Sequence, residues 1–277
     1  MTENPEARTP RFLAWLYCAP SQQPVLASLC AIEREIGASV RPGLDHHVAH
    51  TRLEWWRGEC ARCAAGNPVH PLARELRIQV EQLTAGSRAD STLKGLSGLV
   101  DAAAWDLAGA TFERRAELTA YCQRWAAAMV APLAPEADGT GLGTALRELE
   151  LLGHLAGDAR AGRLRVPLDE LEQAAVAPEA LAAPPWPQAL ADILRSRHQH
   201  LRQQLAAAVA GLSPAAQQRA RGLLVWAALA FQASLRAERA LPRPPAASIA
   251  AAAAANWRAW RAARAAARGR LRLGRPP

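Results

Sequence analysis

The chain has 277 residues, half of them apolar and 21% charged, which supports a packed core without disulfide or metal staples and excludes wholesale disorder. Its formal charge of +8 would ordinarily point to a polyanion, but the stretch from Arg236 to Pro277 holds ten arginines against one acid, a local +9. The other 235 residues, with 23 bases and 24 acids, sum to −1, so the basic character belongs to the C-terminal stretch alone.

In chain order, 3.6-residue periodicity predicts helices over Arg11–Ala19, Gln22–Val40, Asp45–Ala64, Pro71–Thr84, Ser91–Ala108 and Glu113–Val130. Further helices are expected over Gly143–Asp158, Leu168–Ala175, Pro187–Ala210, Pro214–Leu241 and Ala246–Arg268. Ser21, Thr111 and Ser213-Pro214 supply start signals, and Ala65-Gly66-Asn67-Pro68, Pro132–Gly143 and Ala182–Pro187 supply stops. No period-2 run of β-branched residues and no Asn-Gly hairpin occurs, so the expected class is all-α. We expect one helical domain over 1–241 followed by a basic, Ala/Arg-rich helix and tail over 242–277. Trp55, Trp105, Trp125 and Trp226 sit among apolar residues in four different predicted helices, as core anchors do.

The first ten residues, polar and proline-containing, do not read as a secretory signal. The longest apolar run, Gly222–Leu235, is shorter than the roughly 20 residues a bilayer requires. Five cysteines, an odd number, fit reduced thiols. The expected setting is the cytoplasm, with contact at a membrane surface through the C-terminal helix.

Four strings carry the most specific information. They are Arg52-Leu53-Glu54-Trp55-Trp56-Arg57, Gly66-Asn67-Pro68-Val69-His70-Pro71, Leu118-Thr119-Ala120-Tyr121-Cys122, and the run from Asp158 through Arg163 and Arg165 to Asp169. In this order they resemble the squalene/phytoene synthase family of head-to-head prenyl transferases, from about Arg11 to Arg239. The resemblance implies an isoprenoid-synthase-like antiparallel helical bundle around a central apolar cavity. It also implies Mg²⁺ held by two acidic motifs on facing helices, gripping a prenyl diphosphate. Diphosphate departure leaves an allylic cation, and hard cations on carboxylate oxygens neutralise the developing negative charge. By the same resemblance Arg52, Arg57 and Arg163 fall at basic positions suited to a diphosphate, and Tyr121 and Asp158 at catalytic positions. Tyr121 would be a cavity tyrosine handling protons or cations or, equally, a core tyrosine with its hydroxyl on a backbone carbonyl. Arg52, Arg57 and Arg163 could equally pair with Glu54, Glu59 or Asp169 on a solvated face.

The acidic motifs themselves depart from the pattern. After Cys30-Ala31-Ile32-Glu33-Arg34 the expected acidic positions read Gly37, Ala38 and Arg41, with Glu33 and Glu35 on other faces of the helix. In the second motif, Gly153-His154-Leu155-Ala156-Gly157-Asp158, only Asp158 remains. Three functions follow. The first is a degenerate family member that binds a prenyl diphosphate or related isoprenoid lipid, with a scaffold or assembly role. The second is an active prenyl transferase with displaced Mg²⁺ ligands, Asp158 together with Asp101 or Asp106. The third is a membrane-surface or nucleic-acid adaptor driven by the tail.

Other groups are read as structural or solvated. His46 and His50, at i and i+4, have metal-ligand spacing but no third ligand nearby in sequence. Cys60-Ala61-Arg62-Cys63 lacks a second pair or a βαβ context, and His198 and His200 sit among arginines on an expected solvated face. In the tail, Arg258, Arg261, Arg264 and Arg268 share one side of a helix bordered by Trp257 and Trp260, with alanine opposite. That composition fits either a solvated Ala/Arg-rich tail, since an alanine face inserts little, or an anionic membrane surface. The aromatics could also stack on bases, although the charge is confined to one helix.

Overall fold

The computed structural model describes residues 5–6, 9–41, 43–84, 88–134, 139–245 and 249–274, and among these every regular element is helical. α1 (Pro10–Tyr17) starts at Thr9, whose Oγ1 accepts from the Phe12 amide, with proline filling the first helical position. α2 (Gln23–Ala38) is buried along most of its length. α3 (His46–Ala64) is capped by Asp45, which accepts from the His47 and Val48 amides at 2.9 and 3.1 Å. α4 (Pro71–Leu83) begins at His70, whose Nδ1 accepts from the Leu72 amide.

The expected helix over Ser91–Ala108 is broken. A short α5 (Ala89–Leu93) and a 3-10 turn at Lys94–Ser97 precede α6 (Gly98–Leu107). The turn presses against α7 (Arg115–Met129): a Cβ at Gly98 would lie 2.2 Å from the Arg124 carbonyl oxygen, so only glycine permits that approach. The segment expected over Gly143–Asp158 also divides, into α8 (Gly139–Gly153) and α9 (Leu155–Arg160), with His154 as the joint. α10 (Leu168–Gln173) is followed by Ala175 at φ 51°, which stops the helix before its predicted end.

The last third is built on α11 (Gln188–Ala210), α12 (Pro214–Arg219) and α13 (Arg221–Ala240), where the sequence predicts α12 and α13 as one helix. Ser213 Oγ caps α12 on the Ala216 amide. α14 (Ile249–Ala267) covers the described part of the predicted basic helix; residues 246–248 lie outside the described residues. It packs along α13, burying Ala259, Ala262, Ala263 and Ala266. Beyond it, the buried Gln217 side chain accepts from the Leu271 amide at 2.9 Å and pins the chain back onto α12.

A large core joins α1, α2, α7, α8, α11 and α13, with Trp125 and Trp226 edge to face, centroids 6.0 Å apart. Trp55 departs from expectation: it is 44% exposed, while its neighbour Trp56 is buried against His70 at 4.8 Å. The helical period turns only one of two adjacent tryptophans inward. Next to them the fully buried Glu59 accepts from the Val69 and His70 amides, each at 2.8 Å, and from Arg62. The two most distinctive strings of the sequence therefore lock a helix to the turn that follows it. All five cysteines are free and buried, and burial raises each thiol, Cys60 and Cys63 to about 12. No helix among the described residues is long and apolar enough to cross a membrane.

His198, expected on a solvated face, is instead buried, with Nδ1 3.0 Å from Ser234 Oγ. α11 lies between α8 and α13, so the face carrying Leu194, His198, Leu201 and Leu205 is enclosed. Burial and the nearby Arg202 push the imidazole down to about 4. Burial, opposed by Arg115 and reinforced by Glu170, pushes the Glu148 carboxyl up to about 7.

Two predictions follow from these contacts. A neutral buried His198 stabilises the fold above pH 6.5 and loses that contribution as pH falls toward 4, whereas Glu148 costs stability as pH rises from 4.5 to 7. Each contribution is on the order of 3 kcal/mol. Thermal melts should therefore show His198→Gln flattening the acidic decline and Glu148→Gln flattening the decline toward neutrality. Separately, a Cβ at Gly222 would lie 2.2 Å from Cys18 Sγ and 2.7 Å from the Ala14 carbonyl oxygen. Urea denaturation of Gly222→Ala should show a loss of about 1–3 kcal/mol through separation of α1 from α13.

Candidate functional site

A cavity of about 870 Å³ opens between α1, α2, α8, α9, α11 and α13. Leu155, Leu194, Trp226, Ala230 and Leu241 give it an apolar side. Another part of the wall is ionic, arranged in two clusters.

The first cluster joins three helices. Arg11 on α1 pairs with Glu33 on α2, and its Nε and Nη2 donate to the two oxygens of Glu150 on α8 at 3.1 and 2.8 Å. Arg147, one turn before Glu150, donates to Glu150 Oε2 at 3.3 Å and lies 4.0 Å from Glu33 Oε1. Trp125 Nε1 donates to Glu33 Oε1 at 2.7 Å. The Arg11 guanidinium lies 5.2 Å from the centroids of both Trp125 and Trp226, and that of Arg147 lies 5.0 Å from Trp125. Burial pushes the Glu33 carboxyl up, but Arg11, Arg147 and the indole N–H outweigh it and hold the group below its usual range. Arg147 Nε, buried in the same wall, has no hydrogen-bond partner among the described residues.

The second cluster lies at α9. The buried Arg165 donates from Nη1 to Asp106 Oδ1 at 2.8 Å and from Nε to Asp158 Oδ2 at 3.0 Å. Arg163 grips the other Asp158 oxygen at 2.8 and 3.2 Å. Burial would raise the Asp158 carboxyl, yet the two arginines hold it below the ordinary aspartate value. A third set, Arg115, Glu148, Glu170 and Arg197, ties α7, α8, α10 and α11 together.

These positions distribute the sequence-predicted residues unevenly. Asp106, Asp158 and Arg163 meet at the cavity, and Arg165 joins them. Tyr121 stands behind the wall, packed on Phe112, with its hydroxyl accepting from Arg147 Nη2 at 3.2 Å and Arg165 over its ring. Arg52 is exposed on α3, and Arg57 pairs with Asp101 and Glu54; none of the three predicted residues Arg52, Arg57 and Asp101 lines the cavity. Glu33, placed away from the site by sequence reasoning, lines it. Arg11, Arg147 and Glu150 carry no sequence signal of a site role, and Arg165, although part of the fourth string, is assigned none there. The Arg147–Glu150 spacing of three was the available signal, but on a helix that pattern is commonest on a solvated face.

The chemistry of this donor set does not fit the family's Mg²⁺. Among the described residues no three His, Cys, Asp or Glu side chains converge, and Glu33, Glu150, Asp106 and Asp158 each accept from at least one guanidinium. His46 and His50 stand with Nε2 atoms 3.2 Å apart on the exposed start of α3, away from the cavity.

Residues 5–261 match the family described as squalene/phytoene synthase. A crystal structure of a dehydrosqualene synthase in complex with ligand superposes with a TM-score of 0.73 at 14% identity, covering 91% of this chain and 90% of that one. The crystal structure of squalene synthase HpnC from Alicyclobacillus acidocaldarius gives a TM-score of 0.64 at 18% identity, covering 82% of this chain and 87% of that one. No curated protein matches the chain.

Replacing Arg147 with Met alone leaves Glu33 and Glu150 with one partner fewer inside the wall. Urea denaturation should show a loss of about 3–5 kcal/mol. The double variant R147M/E150M, which keeps the Arg11–Glu33 pair, should lose less than the sum of its two single variants.

Proposed function

We propose that this chain, which belongs to the squalene/phytoene synthase family, binds a prenyl diphosphate or related isoprenoid lipid without Mg²⁺-dependent head-to-head condensation. One observation carries the reading: the four carboxylates of the two cavity clusters are already held by arginine. When bound, Mg²⁺ would supply charge neutralisation for a departing diphosphate. To receive it here, each carboxylate would have to give up a guanidinium from a largely enclosed ion pair, at a cost of about 3–5 kcal/mol per broken pair.

The cavity suits retention of a ligand. Its volume of about 870 Å³ lies within the range of small-molecule sites, and its α11 and α13 side is apolar. The unpartnered Arg147 Nε supports an acceptor-bearing head at the ionic side, and Arg163 Nη1 and Arg165 Nη2, neither of which bonds Asp158 or Asp106, leave single donors for an oxyanion at α9. In this reading the chain is a carrier or assembly scaffold rather than a transferase, and its five buried thiols suit a reducing cytoplasm.

Incubation with farnesyl diphosphate and Mg²⁺ should release no diphosphate, while the ligand quenches the fluorescence of Trp226 at the cavity wall. Diphosphate release that disappears in Asp158→Asn would overturn the proposal in favour of an active transferase.

A further inference from the structure

A second, smaller cleft of about 70 Å³ lies where α1, α13 and α14 meet, lined by Pro10, Leu13, Gln232, Arg236, Ala255 and Arg258 among others. Its chemistry is unlike that of the central cavity. There, each arginine of the two clusters faces a carboxylate. Here two half-buried arginines, Arg236 and Arg258, line one cleft with no carboxylate among its lining residues. Burial and the proximity of Arg258 both disfavour the charge on Arg236. Two like charges held together at a partly enclosed, carboxylate-free spot are what an anion would relieve, and two guanidinium forks with the Gln232 amide match the oxygens of a phosphate.

The surroundings identify the anion's source. α14 buries its alanine face on the body and turns Trp257 and Trp260, 57% and 40% exposed, outward as a stacked pair 4.9 Å apart. Arg264 lies 5.3 Å from the Trp260 centroid, Arg261 is exposed on the same helix and Arg268 is exposed just past its end. From Ile249 to Gly274 there are six arginines and no acid. Arg258 follows Trp257 directly, about 100° further round α14, at the border between the buried alanine face and this outer face, so Arg258 links the outer face to a cleft that neither indole lines. Exposed indoles sit at headgroup depth, and guanidinium groups meet the surface potential of anionic lipids.

We infer that α14 docks the protein on an anionic membrane, with a phospholipid phosphate seated between Arg236 and Arg258. This is independent of what the central cavity holds. The site is built rather than diffuse: its two arginines are fixed on different helices, whereas the remaining tail arginines act through charge alone.

The test is vesicle co-sedimentation with full-length protein. Wild type should bind phosphatidylcholine vesicles containing about 30 mol% phosphatidylglycerol at least about tenfold better than pure phosphatidylcholine, with a blue shift in tryptophan fluorescence. R236Q/R258Q should weaken binding about tenfold, clearly more than R270Q/R272Q, which removes the same charge. Because the Arg236–Arg258 repulsion is also removed, its melting temperature should equal or exceed that of wild type, which separates lost binding from lost folding. W257S/W260S should abolish the blue shift. Equal losses in the two arginine pairs, equal binding to neutral vesicles, or tighter binding to a DNA duplex than to anionic vesicles would each overturn the inference. So would inorganic phosphate that stabilises wild type but not R236Q/R258Q in a protein that ignores vesicles, since the cleft would then serve a soluble anion.

Discussion

The wall of the central cavity depends on a charge balance. Arg11 and Arg147 against Glu33 and Glu150 sum to zero, and so do Arg163 and Arg165 against Asp106 and Asp158. Buried ions are tolerated only when every one is matched and hydrogen-bonded, so such a set behaves as a unit. Its members come from α1, α2, α6, α8, α9 and the segment after α9, and removing one would strand charge on several helices at once. The indoles of Trp125 and Trp226 complete the arrangement by covering the guanidinium faces that the carboxylates leave free. This constraint accounts for a cavity that is open in volume yet has the carboxylates of both clusters engaged.

Much of this architecture was legible in the sequence. The helical period and the Ser213-Pro214 start placed most elements within a few residues, whereas Ser21 and Thr111 cap no helix, α2 and α7 following Gln22 and Arg114 without a side-chain cap bond. The breaks were not legible, because they arise from contacts distant in sequence: Gly98 against the Arg124 carbonyl, and the joint at His154. Within the site, Asp158 and Arg163 could be read from their motif. Arg11 and Glu33 could not, because nothing local distinguishes a charged residue aimed at a partner 22 residues away from one aimed at water. The family pattern expects acids at Gly37, Ala38 and Arg41, whereas the acid this chain presents to the cavity, Glu33, stands one turn before Gly37 and is paired with Arg11.

The distinctive Arg52–Arg57 helix teaches a related lesson. Its signature is strong for the family, yet in this chain its arginines face outward or toward Asp101, and Trp56, Glu59 and His70 spend their chemistry on joining α3 to the next helix. A motif can mark ancestry through its packing role as firmly as through its chemistry.

α13 has two working sides. Trp226, Ala230, Ala233, Ser234 and Ala237 face the cavity, while Leu229, Gln232 and Arg236 face α1 and α14. Close-packed interiors transmit displacement rather than absorb it. This helix is therefore a common beam, one edge bearing on whatever fills the cavity and the other on the outermost helix. A tilt imposed at either edge is mechanically a tilt at both.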